Sequence, residues 1–358
     1  MTWFRRKISK ACPVPEEEEM RRCETEEHDQ GVDFLKFFLA PCVCFWAFGF
    51  PENSGWVSTM SAFAIPSFFI LSGYYVLGDD KAVRREKLIR AIRRSSVLFL
   101  LMFVGYFIIN VFYMNYMKMD WLPGLLNLRL PFDFFVLNMW PFPIGDNIWF
   151  IQAYFYACVM LFLMNQWGWL KYYKLILILS AVFMVLAGEL AGVIGFNVLG
   201  YGFIPGGAVT RALPYLLLGM LLREKTARVR EIQPWVYILI FAVGIGMVYE
   251  EILLLAWLDK LVYYGHMLGY GVMAAAACGC AISRPQMTRT IFSVHGPNYA
   301  KCSYILANPV ICVLTVLVSR IFPRYLAALL FFAGPVACCL CLLLYMLGSA
   351  VKRWGLRR

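Results

Sequence analysis

Long apolar runs without a charged residue are the feature that most constrains this chain. The segment 95–117 contains no Asp, Glu, Lys or Arg, and it exceeds the ~20 residues that a helix needs to cross a bilayer. Apolar residues make up 61% of the chain and charged residues 15%, against about 45–50% and 25% in soluble domains. Strands of an outer-membrane barrel would alternate apolar and polar residues, but these runs are apolar throughout and show no such alternation. The sequence therefore predicts an all-α, polytopic membrane protein.

Ten transmembrane helices account for the apolar runs. The predicted spans are 33–51, 57–78, 96–117, 147–167, 174–196, 210–222, 233–257, 262–283, 299–319 and 325–350. Residues 1–32 are expected to form a cytoplasmic arm, 33–350 one membrane domain and 351–358 a basic cytoplasmic tail. The arm is charged and lacks the short apolar core of a cleavable signal peptide, so the first span is expected to act as an uncleaved anchor.

The distribution of Lys and Arg predicts the orientation of these spans. With the N-terminus inside, 25 of the 33 basic residues fall on the cytoplasmic side and six on the outer side. Basic residues concentrate in cytoplasmic loops of membrane proteins. We therefore expect a multi-pass protein of the plasma membrane with both termini in the cytoplasm. The net charge of +11 is explained by this topology and by contact with anionic lipids, and no nucleic-acid partner is expected.

The twelve cysteines predict neither disulfides nor a metal site. None lies in a predicted outer loop, where an oxidising environment would favour disulfides. The densest group is Cys338, Cys339 and Cys341, which has no His or Asp beside it to complete a metal shell. Small, polarizable residues that pack within a transmembrane helix are the simpler interpretation.

Charged residues inside predicted spans are candidate site residues, because each costs at least ~2.5–3.5 kcal/mol at mid-helix. Lys36 lies near the cytoplasmic end of the first span, where it could also extend to the interface. Glu250 and Glu251 are adjacent in the seventh span, and ion pairing with a basic residue of another span is their alternative role.

A basic segment follows the second predicted span. Residues 81–94 contain seven Lys or Arg residues, including Arg84, Arg85 and Arg94. Such loops are usually features of topology and lipid contact. The alternative is a site for a phosphate-rich donor such as a coenzyme A thioester, because guanidinium groups bind phosphate with two hydrogen bonds.

Five segments resemble the acyltransferase family 3 of integral membrane proteins. They are Val32 to Lys36, PSFFILSGYYVL (66–77), Asn147 to Ile151, Arg211 with LPYLLLGM (213–220), and YAKCSYILANP (299–309). The FFILSGY block is the most specific of them. The resemblance implies a ten-span fold that moves acetyl or other acyl groups from a cytoplasmic donor to hydroxyls of cell-surface glycans or similar acceptors.

The sequence departs from the family pattern at its histidines. Where the family has Arg, ten residues and then His in the first span, this chain has Lys36 and Ala47, and Asn308 replaces the His of the late motif. The first-span His is the family's general base, and an alanine cannot accept a proton. We therefore expect Glu250 or Glu251, with a pKa raised by desolvation, to take its place in an active enzyme.

The resemblance and the polar residues together give three groups of candidate site residues. The catalytic candidates are Lys36, Asn308, Glu250 and Glu251; the donor-binding candidates are Ser72, Tyr74, Arg84, Arg85 and Arg94; the acceptor-side candidates are Trp149, Arg211 and Tyr304. No bound cofactor is expected, and acetyl-coenzyme A or another acyl-coenzyme A is the co-substrate. The alternative function is an inactive fold that transports or binds a small polar metabolite or a lipid-linked glycan without transferring anything.

Overall fold

The chain forms a bundle of helices in the computed structural model. The structure describes residues 29–48, 55–76, 80–116, 118, 130–135, 138–139, 144–145, 147–190, 193, 207–258, 267–286 and 290–355. All regular secondary structure within these ranges is helical. The predicted all-α class is thus confirmed. Most of the predicted N-terminal arm, residues 1–28, and the last three residues of the tail lie outside the described ranges.

Fourteen α-helices are described, and we number them in chain order. They are α1 (Gln30–Phe48), α2 (Gly55–Ser61), α3 (Ala64–Val76), α4 (Lys81–Tyr116), α5 (Leu130–Phe135), α6 (Ile148–Gln166), α7 (Tyr173–Met184), α8 (Leu213–Glu224), α9 (Thr226–Glu231), α10 (Pro234–Trp257), α11 (Leu268–Ile282), α12 (Ile291–Ile321), α13 (Leu326–Phe331) and α14 (Ala333–Gly355). Short 3₁₀ and π turns extend α7 at both ends and precede α8 and α13.

Eight helical stretches of the described residues are long and apolar enough to cross a membrane. They coincide with eight of the predicted spans, which confirms a polytopic membrane protein. The two remaining predicted spans, 210–222 and 262–283, coincide with the shorter helices α8 and α11. Several ends differ from the prediction: α12, for example, begins eight residues before the expected span, and Pro297 and Pro309 lie inside it.

The basic segment before the third span is helical, whereas a loop was predicted there. Helix α4 begins at Lys81 and continues without a break to Tyr116. Ala, Arg, Lys, Glu and Leu dominate residues 81–94, and these are the residues with the highest helix propensity. The positive charges therefore stand on one rigid helix that continues directly into the membrane span.

Helices α1 and α3 occupy the centre of the packing. Helix α1 packs against α12, α14, α11 and α3, while α3 packs against α8, α11 and α4. Glycines permit the closest approaches: a Cβ at Gly73 of α3 would collide with the backbone of Leu216, and one at Gly296 of α12 would collide with the backbone of Asp33. Small residues at such crossings are typical of membrane helices. These contacts bring one face of α12 beside α1.

Polar contacts fix the ends of helices outside the apolar core. Asp29 precedes α1, and its Oδ1 accepts a hydrogen bond from the N–H of Val32 at 3.3 Å, as a helix N-cap does. Burial raises the pKa of this carboxyl above its usual value, although its hydrogen bond to Val32 opposes the shift. At the end of α8, Lys174 and neighbouring groups lower the pKa of the Glu224 carboxyl to about 2.

Candidate functional site

A cavity of about 360 Å³ lies between α1, α3, α4, α6 and α12. Most of its lining residues are apolar, and its polar side chains include Lys36, Ser72, Asn147, Lys301 and Ser303. The described residues that line it are Lys36, Ala40, Val43, Trp46, Ile65, Phe68, Ser72, Leu98, Asn147, Trp149, Phe150, Ile151, Tyr154, Pro297, Ala300, Lys301, Ser303 and Tyr304. Four predicted site residues, Lys36, Ser72, Trp149 and Tyr304, thus come together in one place from four different helices.

A second, basic cleft adjoins this cavity. Its positive side chains are Lys87, Arg90 and Arg94 of α4. These residues are three or four positions apart, so they lie on one face of the helix. The cleft and the cavity share three lining residues, Leu98, Ile151 and Tyr154. The two spaces are therefore neighbours along α4, with the charged groups at one end and the apolar groups at the other.

Lys36 stands where the two spaces meet. Its Nζ lies 2.9 Å from Oδ1 of Asp33, and 5.4 Å from the centre of the Tyr75 ring. Tyr75 lines the basic cleft, whereas Lys36 lines the cavity. The ion pair joins residues one turn apart in the same helix. The Lys36 side chain can therefore contact an anionic or carbonyl oxygen that passes from the cleft into the cavity.

A network of hydrogen bonds joins α6 and α12 at another part of the cavity. The side chain of Asn147 donates to the carbonyl oxygen of Tyr304 at 2.7 Å, and the Tyr304 hydroxyl donates to the carbonyl oxygen of Asn147 at 2.8 Å. Asn308 donates to Oδ1 of Asn147 at 2.6 Å. Asn308 is thus connected to the cavity through Asn147 but does not line it. Its role here is to orient Asn147.

Arg211 reaches the cavity through Trp149. The guanidinium carbon lies 4.8 Å from the centre of the Trp149 ring, within the range of a cation–π contact. The Trp149 carbonyl in turn accepts a hydrogen bond from Asn138 at 2.8 Å. Two of the three acceptor-side candidates, Trp149 and Arg211, are therefore in contact, and of these two Trp149 lines the cavity.

The predicted carboxylates lie elsewhere. Glu250 is exposed on α10, and neither Glu250 nor Glu251 lines the cavity. Oε1 of Glu251 accepts a hydrogen bond from the N–H of Gly269 at 3.2 Å, at the beginning of α11, where backbone N–H groups lack partners within the helix. The structure therefore does not bring these carboxylates together with Lys36 and Ser72, and it gives Glu251 a contact that stabilises the end of a helix.

The histidine positions are also separate from the cavity. Ala47 is exposed and does not line the cavity, whereas its neighbour Trp46 does. His295 pairs with the hydroxyl of Tyr345 at 2.8 Å, and His28 and His266 lie outside the described residues. The described lining thus contains neither an imidazole nor a carboxylate.

Three donor-binding candidates fall outside both spaces. Arg85 is exposed and Arg84 is half-buried, and neither lines the cleft. Tyr74 is buried under Arg223 of α8, whose guanidinium carbon lies 5.2 Å from the centre of its ring. Arg94 alone among the predicted arginines of this segment lines the basic cleft. The others are placed as packing or surface residues.

Lys87, Arg90, Lys301 and Ser303 line the two spaces but are not among the predicted site residues. Lys87 and Arg90 lie in the predicted basic segment and precede Arg94 by seven and four residues, so they share its helix face. Lys301 and Ser303 lie within the segment 299–309 that carries the family resemblance, and α12 brings them to the cavity. The Ser303 hydroxyl is buried and, among the described residues, lacks a hydrogen bond of normal geometry. Among those residues, no three metal-binding side chains form a cluster.

Comparison of the chain with protein-family models, with curated proteins and with solved structures found no match. The resemblance to the acyltransferase family 3 therefore depends on the five sequence segments alone and stays a prediction.

Proposed function

We propose that this chain binds an acyl-coenzyme A from the cytoplasm and transfers its acyl group to a hydroxyl of a cell-surface glycan or a similar acceptor. The observation that carries the proposal is the pairing of a basic cleft with an adjoining apolar cavity on one face of α4. Arg90, Arg94 and Lys87 match the phosphates of such a donor. The cavity accepts the less polar end of the same molecule, which carries the thioester.

The topology is part of the proposal. The proposal has ten spans, made of the eight long apolar stretches and the shorter helices α8 and α11, and the excess of Lys and Arg supports both termini in the cytoplasm. The basic beginning of α4 then faces the cytoplasm, where acyl-coenzyme A is made. Because the first and twelfth helices both begin on that side, Lys36 and Lys301 lie nearer the donor, whereas Trp149 and Arg211 lie nearer the acceptor.

The chemistry assigned to these residues follows from their positions. The acceptor oxygen attacks the thioester carbonyl carbon, the carbon–sulfur bond breaks, and coenzyme A leaves as the thiol after it gains the proton that the acceptor loses. Lys36 stabilises the negative charge that develops on the carbonyl oxygen. Asn147 and Tyr304 hold α6 and α12 in register around the reacting groups. The described lining offers no imidazole or carboxylate, so the proton passes from the acceptor hydroxyl to the thiolate sulfur of the leaving coenzyme A.

Binding or transport without transfer is the second candidate function. The absence of an imidazole or a carboxylate from the described lining favours it. General base catalysis usually requires such a group within about 2.6–3.2 Å of the atom that carries the proton. In this case the same cleft and cavity hold an acyl donor, a small polar metabolite or a lipid-linked glycan.

The test measures binding and transfer separately, with purified protein in lipid nanodiscs. Labelled acyl-coenzyme A is titrated against the native protein, Arg94→Ala and Arg85→Ala; the last is a matched control, since Arg85 is exposed outside the cleft. Loss of a charged hydrogen bond should weaken binding about tenfold or more in Arg94→Ala and reduce its dependence on salt. Equal binding by both variants would contradict the cleft as the phosphate site. Transfer to a panel of glycans then distinguishes the enzyme from the binding protein.

A further inference from the structure

The cavity is larger than an acetyl group needs. An apolar cavity of ~150 Å³ in a protein holds one benzene molecule, and this cavity as a whole, with the space beside its polar side chains included, measures about 360 Å³. The whole cavity therefore has room for roughly a dozen carbon atoms at the same density. Its apolar part is the part lined by Ala40, Val43, Ile65, Phe68, Phe150 and Ala300.

We propose that this part of the cavity holds the acyl chain of the donor and that the chain has roughly eight to twelve carbons. The inference rests on the proposed function, because it takes the donor to be a coenzyme A thioester with its phosphates in the basic cleft. Charge and shape agree with such a molecule. The cleft carries Lys87, Arg90 and Arg94 at one end, and the space that shares its wall is lined mainly by hydrocarbon.

Two other occupants fit the lining less well. The pantetheine arm of coenzyme A carries two amide groups, and an amide buried without hydrogen bonds costs several kcal/mol in transfer from water. A glycan acceptor is hydroxylated on every side and would meet the same cost. Asn147 and Tyr304 offer little compensation, because their side chains already bond to each other's backbone. The hydroxyls of Ser72 and Ser303 and the ammonium groups of Lys36 and Lys301 are too few to satisfy a hydroxylated or amide-rich occupant along its whole length. A saturated chain requires no hydrogen bonds and gains from the burial of each methylene group.

The length of the chain is set by side chains that can be changed. Val43 of α1 lines the cavity and is half-buried. The larger ring of Val43→Phe would occupy space that the end of a chain otherwise fills. Val104 of α4 is 49% exposed and lines neither space. Val104→Phe is therefore a matched control that adds the same group at the surface of the bundle.

The experiment measures the dissociation constants of acetyl-, butyryl-, octanoyl-, lauroyl- and palmitoyl-coenzyme A for the full-length protein in nanodiscs. Signals from empty nanodiscs are subtracted. Affinity should increase about two- to fourfold for each added methylene and then become constant between octanoyl and palmitoyl, when the cavity is full. Partitioning into lipid increases with every methylene, so a limit identifies the cavity. In Val43→Phe the limit should move to a shorter chain, and in Val104→Phe it should not.

Three outcomes would count against the inference. Equal binding of acetyl- and lauroyl-coenzyme A would overturn it and leave the proposed function intact, because the coenzyme part alone would then bind. An increase that continues through palmitoyl in the protein and in both variants would also overturn it. Failure of every coenzyme A species to bind would overturn the proposed function together with the inference. The profile of the native protein decides between these outcomes even if Val43→Phe does not fold.

Discussion

Ala47 occupies the position at which the family resemblance expects the catalytic His. The side chain is exposed on α1 and does not line the cavity, while Trp46 does. We therefore expect an imidazole at position 47 to begin from an exposed backbone position outside the lining and to stay beyond hydrogen-bonding distance of a proton in the cavity. A missing base is one explanation of an inactive chain, and the exposure of position 47 predicts that a His placed there does not supply the base.

We predict that Ala47→His leaves acyl transfer at the level of the native protein. The measurement is the release of coenzyme A from a labelled donor by both proteins in nanodiscs, with a glycan acceptor present. Trp46→Ala serves as a comparison, because it enlarges the lining at the neighbouring position and should change donor binding. A clear gain of transfer in Ala47→His would mean that α1 rotates in the working protein, and would contradict the placement described here.

At the scale of a helix, Glu251 tests whether a carboxylate in the membrane is there for catalysis or for structure. Its contact with the N–H of Gly269 stabilises the beginning of α11, and loss of a hydrogen bond to a charged group costs about 1.5–3 kcal/mol. Glu251→Ala should therefore reduce the free energy of unfolding by about that amount, whereas Glu250→Ala, at an exposed position, should change it little. Unfolding in micelles by steric trapping measures both.

If Glu251 were the base, its substitution would affect acyl transfer and not the free energy of unfolding. Glu251→Ala would then lose transfer while keeping its stability and its binding of the donor. That result would return the catalytic role to the carboxylate and remove the structural one.

Substitution of alanine for glycine is predicted to have opposite effects on stability at a helix crossing and at an open helix surface. A Cβ at Gly73 would collide with the backbone of Leu216, whereas a Cβ at Gly105 meets no atom within 4 Å. Gly73→Ala should lower the free energy of unfolding by about 1–3 kcal/mol, because α3 and α8 must move apart. Gly105→Ala should raise it by up to about 1 kcal/mol, because alanine favours the helix. Equal effects in the two variants would contradict the close crossing of α3 and α8.

The helices could be predicted from the sequence to a large extent, and the contacts between them could not. Apolar runs are local, so eight of the predicted spans coincide with helical stretches long and apolar enough to cross a membrane. The error at residues 81–94 arose because the charges were counted and the helix propensity of the same residues was not. The cavity depends on α1 and α12, which bring Lys36 beside Pro297, Ala300 and Lys301 across most of the chain. No short-range pattern encodes that pairing.

The candidate site shows the same division. Lys36, Ser72, Trp149 and Tyr304 were identified because a polar or aromatic residue stood within a recognisable segment, and they share one cavity. Glu250 and Glu251 were chosen because a charge in a membrane span is costly, but this cost can be met by a helix end as well as by a substrate. The sequence thus indicates which residues are unusual, and only the packing indicates what each one faces.

For the whole molecule, the basic cleft can receive a cytoplasmic donor only if the orientation derived from Lys and Arg is correct. We predict that an epitope inserted after Gly168, in the turn between α6 and α7, is accessible to antibody only after cells are permeabilised, as is an epitope at the C-terminus. An epitope inserted within 119–129 should be labelled on intact cells, because that segment follows the other end of α4. The three insertions, each made in the full-length protein, control for one another. With the termini inside, only the epitope within 119–129 is labelled on intact cells; with the termini outside, only the other two are. The reverse pattern would place Arg90 and Arg94 outside the cell, where acyl-coenzyme A is absent, and the proposed function would then fail whatever the shape of the cavity.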